Sequence, residues 1–136
     1  MSGASVDHLL PSPIALELPG DSRFMRLARL LASGVATSCG LPLEEVEDFR
    51  VVVDEVCATL VEAGGGHPIR LTFSIQGDLL LVDGRTRESP ANGLDEDRLS
   101  LSQQILDVVT MSHDFSRQNG EVRFSASTQL RGGGVG

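Results

Sequence analysis

Residues 48–65 read DFRVVVDEVCATLVEAGG, and the reading of this stretch decides the fold. Phe49, Val53, Val56 or Cys57, and Leu60 recur at helical spacing, so the segment is predicted to be one helix with a buried stripe. Its start lies upstream in LPLEEVEDF, where Pro42 suits a first turn and Glu44, Glu45, Glu47 and Asp48 crowd the positive end of the dipole. Val46 joins the stripe, and the run Gly64-Gly65-Gly66 ends the helix. Asp48, Val52, Glu55, Thr59 and Glu62 fall on one face, beside the core stripe rather than on it. That face either lies in water or lines a cleft on the sheet side. Asp54 points elsewhere and is expected to be solvated.

Working outward, residues 13–20 (PIALELPG) alternate apolar and polar, as a short strand does, with Ile14, Leu16 and Leu18 on one side. Pro19-Gly20 stops it, and Asp21 or Ser22 caps a first helix over 22–39 with Phe24, Leu27, Leu31 and Val35 inward. Gly40 is a fitting terminator. Beyond the central helix, 67–76 and 77–84 read as two strands joined by a Gln-Gly-Asp turn, an antiparallel hairpin. Residues 85–97 (RTRESPANGLDED) form a polar loop, long enough to have a function. Residues 98–111 form a third helix with Leu101, Ile105 and Val108 or Val109 inward. A short strand at HDFS, a turn at RQNG and a last strand over 121–128 follow. The order β-α-α-β-β-α-β-β predicts an α+β fold, a two-layer sandwich with helices on one face of a mostly antiparallel sheet. The domain is expected to span 13–128, with flexible tails at 1–12 and 129–136.

Composition excludes several functions. The 136 residues suit one domain. Net charge is −8, which argues against nucleic acid or an anionic membrane as partner. Trp and Tyr are absent, leaving little aromatic surface for stacking bases. Lysine is absent too, which removes Schiff bases and a P-loop lysine. No apolar run spans a membrane, and the first residues lack the pattern of a secretion signal, so a cytoplasmic protein is expected. Cys39 and Cys57 are read as two reduced, partly buried thiols. His8, His67 and His113 show no ligand spacing, so no zinc or other metal site is expected.

The element order and the run VVVDEVCATLV resemble the switch-type anti-sigma factors, serine-protein kinases on the GHKL (Bergerat, histidine-kinase-like) ATPase fold. The resemblance covers 13–128. The family's helix motif D/S-E-x-C-T-N-A aligns with Asp54-Glu55-Val56-Cys57-Ala58-Thr59-Leu60. It implies that Glu55 is a general base on an incoming serine hydroxyl. Thr59 stands where the family has an Mg²⁺-ligating asparagine, and its hydroxyl lacks the reach of an amide oxygen. The adenine-contacting motif D-x-G-x-G/A aligns with Asp83-Gly84-Arg85-Thr86-Arg87, where Asp83 ends a strand or, with Gly84, makes a simple turn. The phosphate-cradling G-x-G-L aligns with Leu99-Ser100-Leu101-Ser102, so both glycines are replaced, Ser100 among the replacements. ATP and Mg²⁺ binding at these positions is therefore expected to be weak or absent. Arg85, Arg87 and Arg98 offer other phosphate contacts.

The family's second surface, E-x-F-x-R, aligns with Ser22-Arg23-Phe24-Met25-Arg26, extended by Met25 and Arg29. The resemblance implies a sigma factor as partner of Ser22, Phe24 and Arg26, an anti-anti-sigma protein of the STAS type as antagonist, and a homodimer formed through the first strand and first helix. The leading expectation is an anti-sigma factor that sequesters an alternative sigma factor and is released by partner switching. The alternatives are an active ATP-dependent serine kinase acting on the antagonist, and a degenerate regulator of the same fold that binds another signalling protein.

Overall fold

The computed structural model describes residues 7–90 and 93–130. Its elements are β1 (Ile14–Leu18), α1 (Met25–Ser38), α2 (Leu43–Gly64), β2 (Ile69–Gln76), β3 (Leu79–Arg87), α3 (Glu96–Val109), β4 (Ser112–Gln118) and β5 (Glu121–Gln129), with single 3₁₀ turns at Asp7–Leu9 and Ser22–Phe24. The strands form one antiparallel sheet in the order β1-β2-β3-β5-β4. The helices cover one face of it. This is the α+β sandwich expected from the sequence, with every element in its expected order.

α2 is the centre of the helix layer. Val46, Phe49, Val53, Val56, Cys57 and Leu60 are buried as the spacing predicted, and Phe49 packs against Phe73 of β2 with ring centroids 6.1 Å apart. The burial is wider than one stripe, because Val52, Thr59 and Ala63 are buried too. A helix wedged between two others and a sheet has little free surface. α2 ends at Gly65, which takes the left-handed conformation (φ +54°) that a side chain disfavours.

Several boundaries and phases differ from the sequence reading. The first helix turns its small residues inward: Met25, Ala28, Ala32, Val35 and Ala36 are buried, while Leu27 and Leu30 are exposed and Phe24 and Leu31 are only partly covered. The third helix buries Leu99, Ser102 and Leu106, and Leu101 and Val108 face out. The polar segment from 85 is not loop throughout. β3 runs on to Arg87, and Asp95 caps α3 by accepting the backbone N–H groups of Asp97 and Arg98 at 3.0 and 3.3 Å. The folded body also exceeds 13–128: Leu9 and Leu10 pack against the core, β5 includes Gln129, and Leu130 is buried. The remaining tail residues, 1–6 and 131–136, lie outside the described residues.

Candidate functional site

Where the start of α1, the middle of α2 and the start of α3 meet, the helix layer is incomplete and leaves a cleft of about 600 Å³. Glu55 opens into it. The Ser102 hydroxyl, on the inner face of α3, donates to Glu55 Oε1 at 2.6 Å. One residue back on α2, Asp54 Oδ1 accepts from Arg29 Nη1 of α1 at 2.9 Å. Two turns on, Glu62 faces Arg98 Nη1 of α3 at 3.5 Å and accepts the Asp95 backbone N–H at 3.4 Å. Met25, Ala58 and Val61 supply the apolar part of the lining.

The cleft thus holds three carboxylates and two guanidinium groups. Both ion pairs are substantially exposed and add little to stability; their effect is to fix α1 and α3 against α2. The Glu55–Ser102 contact differs, because the serine is buried and bonds a carboxylate, a stronger class of hydrogen bond. Chemically, Glu55 is placed to accept a hydroxyl proton, and a serine hydroxyl already occupies one of its oxygens. Behind it, burial pushes the Cys57 thiol up to about 12. Burial raises the Cys39 thiol as well, so both cysteines are inert buried thiols.

The nucleotide-site positions do not converge on this cleft. Thr59 is buried in the helix layer with 4% of its surface exposed. Asp83 is neither a turn nor a strand end. It sits mid-strand between Thr72 and Ser125, on the face of the sheet away from the helices. Gly84 faces the helices, but α2 roofs it: a Cβ there would stand 2.6 Å from Leu60 Cδ1 and 2.7 Å from Val56 Cγ1. Ser100 is exposed on the outside of α3. These residues do not fit an Mg²⁺–nucleotide held as the aligned motifs would hold it. Arg98 lines the cleft, whereas Arg85 and Arg87 lie on β3, Arg85 beside Asp83.

The second predicted surface is brought together in part. Asp21, not Ser22, caps the 3₁₀ turn before α1 by accepting from the Arg23 backbone N–H at 2.9 Å. Hydrogen bonds from Arg23 hold the Asp21 carboxyl below its ordinary range. Ser22 and Met25 line the cleft; Arg26 and Leu30 are exposed on α1, and Phe24 is partly buried with the Arg23 guanidinium 5.5 Å from its ring centroid. The sequence reading missed the Arg29–Asp54 pair, having left Asp54 in solvent, and missed Ser102 as the partner of Glu55. The spacing Leu99, Ser102, Leu106, Val109 carries that signal, since it puts Ser102 on the inner face of α3.

No family model matches the chain. Among curated proteins it is similar to the serine-protein kinase RsbW of Halalkalibacterium halodurans, 33% identical over 74 residues, covering 53% of this chain and 46% of that one. It is also similar to RsbW of Bacillus subtilis, 33% identical over 49 residues, covering 36% and 31%. The matched stretches thus span less than half the length of these relatives. Among solved structures, the RsbU and RsbW domains of a Mycobacterium tuberculosis protein superpose with a TM-score of 0.70 at 14% identity, covering 88% of this chain and 32% of that chain. The chain is thus similar in sequence, over part of its length, to RsbW serine-protein kinases, and it shares the fold of a structure that contains an RsbW domain.

Proposed function

We propose that this chain is an anti-sigma factor that works by binding: it sequesters an alternative sigma factor in the cytoplasm and releases it when an anti-anti-sigma protein of the STAS type competes. The observation that carries this reading is the dispersal of the nucleotide-site positions. Asp83 is on the far side of the sheet and Gly84 lies under α2, while the α1 side keeps an exposed surface with Arg26, Leu27 and Leu30. Binding needs that surface and no converged phosphate site. The proposed partner residues are Ser22, Phe24 and Arg26.

A homodimer through β1 and α1 belongs to the same proposal. β1 pairs only with β2, so its other edge is unpaired among the described residues, and α1, which follows β1 in the chain, exposes Leu27 and Leu30. The test is binding of the purified chain to each alternative sigma factor of its host, with core RNA polymerase as competitor. One sigma factor should bind tightly, and Arg26→Ala should weaken it about tenfold or more, as an interface arginine does. Binding to none would sink this reading in favour of another signalling partner.

One observation favours phosphoryl transfer to the antagonist instead. Glu55 accepts a serine hydroxyl at 2.6 Å, the contact that a general base makes with its substrate. ATP-dependent phosphorylation of the anti-anti-sigma protein, abolished in Glu55→Gln, would establish the kinase; no transfer at saturating ATP and Mg²⁺ would exclude it.

A further inference from the structure

The open face of the sheet carries a feature that neither reading uses. In register across four neighbouring strands stand Arg70 on β2, Arg85 on β3, Arg123 on β5 and Ser116 on β4. Three arginines therefore neighbour one another in one row of a chain with net charge −8. Like charges directly opposite on adjacent strands are unfavourable. Asp83, one row away, offsets this. Its carboxylate accepts from Arg123 Nε and Nη2 at 3.0 and 3.1 Å and from Arg85 Nη2 at 3.1 Å. Asp83 is 17% exposed, beneath the guanidinium groups it holds. Its hydrogen bonds, and then its charge, raise the Arg123 pKa, and its geometry fixes both side chains.

Beside these two arginines lies a cavity of about 440 Å³, completed by Ser116, Gln118, Asn119 and Glu121 at the β4–β5 turn. The turn is tight, with both Asn119 (φ +55°) and Gly120 (φ +78°) left-handed, which brings the ends of the two strands round the cavity. Asp83 takes only part of the donor capacity, since each guanidinium has five N–H groups. Among the described residues, the side chains of Ser116, Gln118 and Asn119 have no hydrogen-bond partner of their own. The cavity is mostly polar in its lining. Besides Asp83, two carboxylates border the site: Glu121 at the rim, with Oε1 3.8 Å from Arg85 Nη1, and Asp114 on β4, whose charge also acts on Arg123.

The geometry points to an oxyanion site: Arg85 and Arg123, preset by Asp83, with Ser116, Gln118 and Asn119, bind a phosphate group, either free phosphate or a phosphate monoester. A tetrahedral dianion matches two fixed guanidinium forks and three neutral donors, and each contact to it is charge-assisted. Glu121 limits affinity and keeps the site reversible. The site lies on the opposite face of the sheet from the Glu55 cleft, so it stands independently of the anti-sigma reading.

The test is an NMR titration of the full chain at constant ionic strength, first with inorganic phosphate and then with phenyl phosphate. The expected result is saturable shifts of the Arg85 and Arg123 Nε–Hε signals and of the Asn119, Gly120 and Glu121 amides, with half-saturation near or below about 10 mM. Arg85→Gln, which leaves the Asp83–Arg123 pair intact, should weaken binding by about fivefold or more, and Glu121→Gln should tighten it by about threefold. Equal affinity for the two probes assigns the site to free phosphate; tighter phenyl phosphate assigns it to monoesters. Shifts that rise linearly, that sodium chloride reproduces, or that Arg85→Gln leaves unchanged would overturn the proposal.

Discussion

Cys57 is a thiol whose burial has a readable consequence. In the folded chain it keeps its proton up to about pH 12, against a reference value of 9.0 for the unfolded chain. Between these values the unfolded chain binds fewer protons, so stability falls as pH rises through that window and none of this effect is felt below it. The slope is about 1.4 kcal/mol per pH unit. Denaturant unfolding from pH 8 upward should show this loss in the native chain and a flatter profile in Cys57→Ala; identical slopes would refute it. Gly20 makes a second case. It is buried where β1 gives way to the turn before α1, and a Cβ there would collide with the His67 carbonyl oxygen. Backbone cannot move aside as a side-chain tip can, so Gly20→Ala should cost about 1–3 kcal/mol, read as a lowered unfolding midpoint with unchanged m-value. Single residues were also where the sequence misled. Asp83 reads as the end of a strand because five polar or charged residues follow Gly84. The period-two alternation in fact continues, with Val82, Gly84 and Thr86 inward and Asp83, Arg85 and Arg87 outward. An open sheet face tolerates charge, so a polar run is compatible with strand as well as loop.

At the scale of elements, type and order were legible because each element has one clear period and a clear stop. Pro42 and Gly65 bound α2, Gly40 follows α1 with φ +81°, and the Asn119-Gly120 pair makes the last turn. Phase was less legible in α1 and α3, where apolar residues lie all round. In α1 the leucines drew the reading outward, whereas the residues facing α2 are Ala28, Ala32 and Ala36, spaced by four. Small residues let two helices approach closely, and that packing outweighs the transfer energy of a larger side chain left half exposed. It follows that Leu30→Gln should change stability by less than about 0.5 kcal/mol, while Ala32→Leu should cost about 1–3 kcal/mol; thermal unfolding of the two variants checks the phase. The start of α3 rests on Asp95. Its carboxylate is the only cap on the Asp97 and Arg98 N–H groups among the described residues, so Asp95→Ala should cost about 1 kcal/mol.

For the molecule as a whole, the candidate site was half legible. Glu55 announced itself as a carboxylate beside the core stripe, but its surroundings come from two other helices. Arg29 is 25 residues from its partner Asp54 and Ser102 is 47 from Glu55, separations at which no periodicity reports contact. The same arrangement sets a hierarchy of stability. α2 buries ten residues against everything around it, whereas α3 buries three and leaves Leu101 and Val108 in water. With so little apolar burial, α3 depends on its links to α2: Ser102 to Glu55 and Arg98 to Glu62. The exposed ion pair adds little, so the buried serine hydroxyl is the larger of the two links. α3 should therefore open separately from the sheet and α2, with the cleft widening as it leaves. In native-state hydrogen exchange its amides should be protected at least about tenfold less than those of α2. Ser102→Ala should remove about another tenfold from α3 alone, since the lost bond is to a carboxylate and worth about 1.5 kcal/mol. Arg98→Ala should change α3 protection by less than threefold or so, in line with a screened surface pair. Uniform protection of α2 and α3, or a Ser102→Ala effect spread over the whole sheet, would show that the three helices open as one unit and that the cleft has no separately mobile wall.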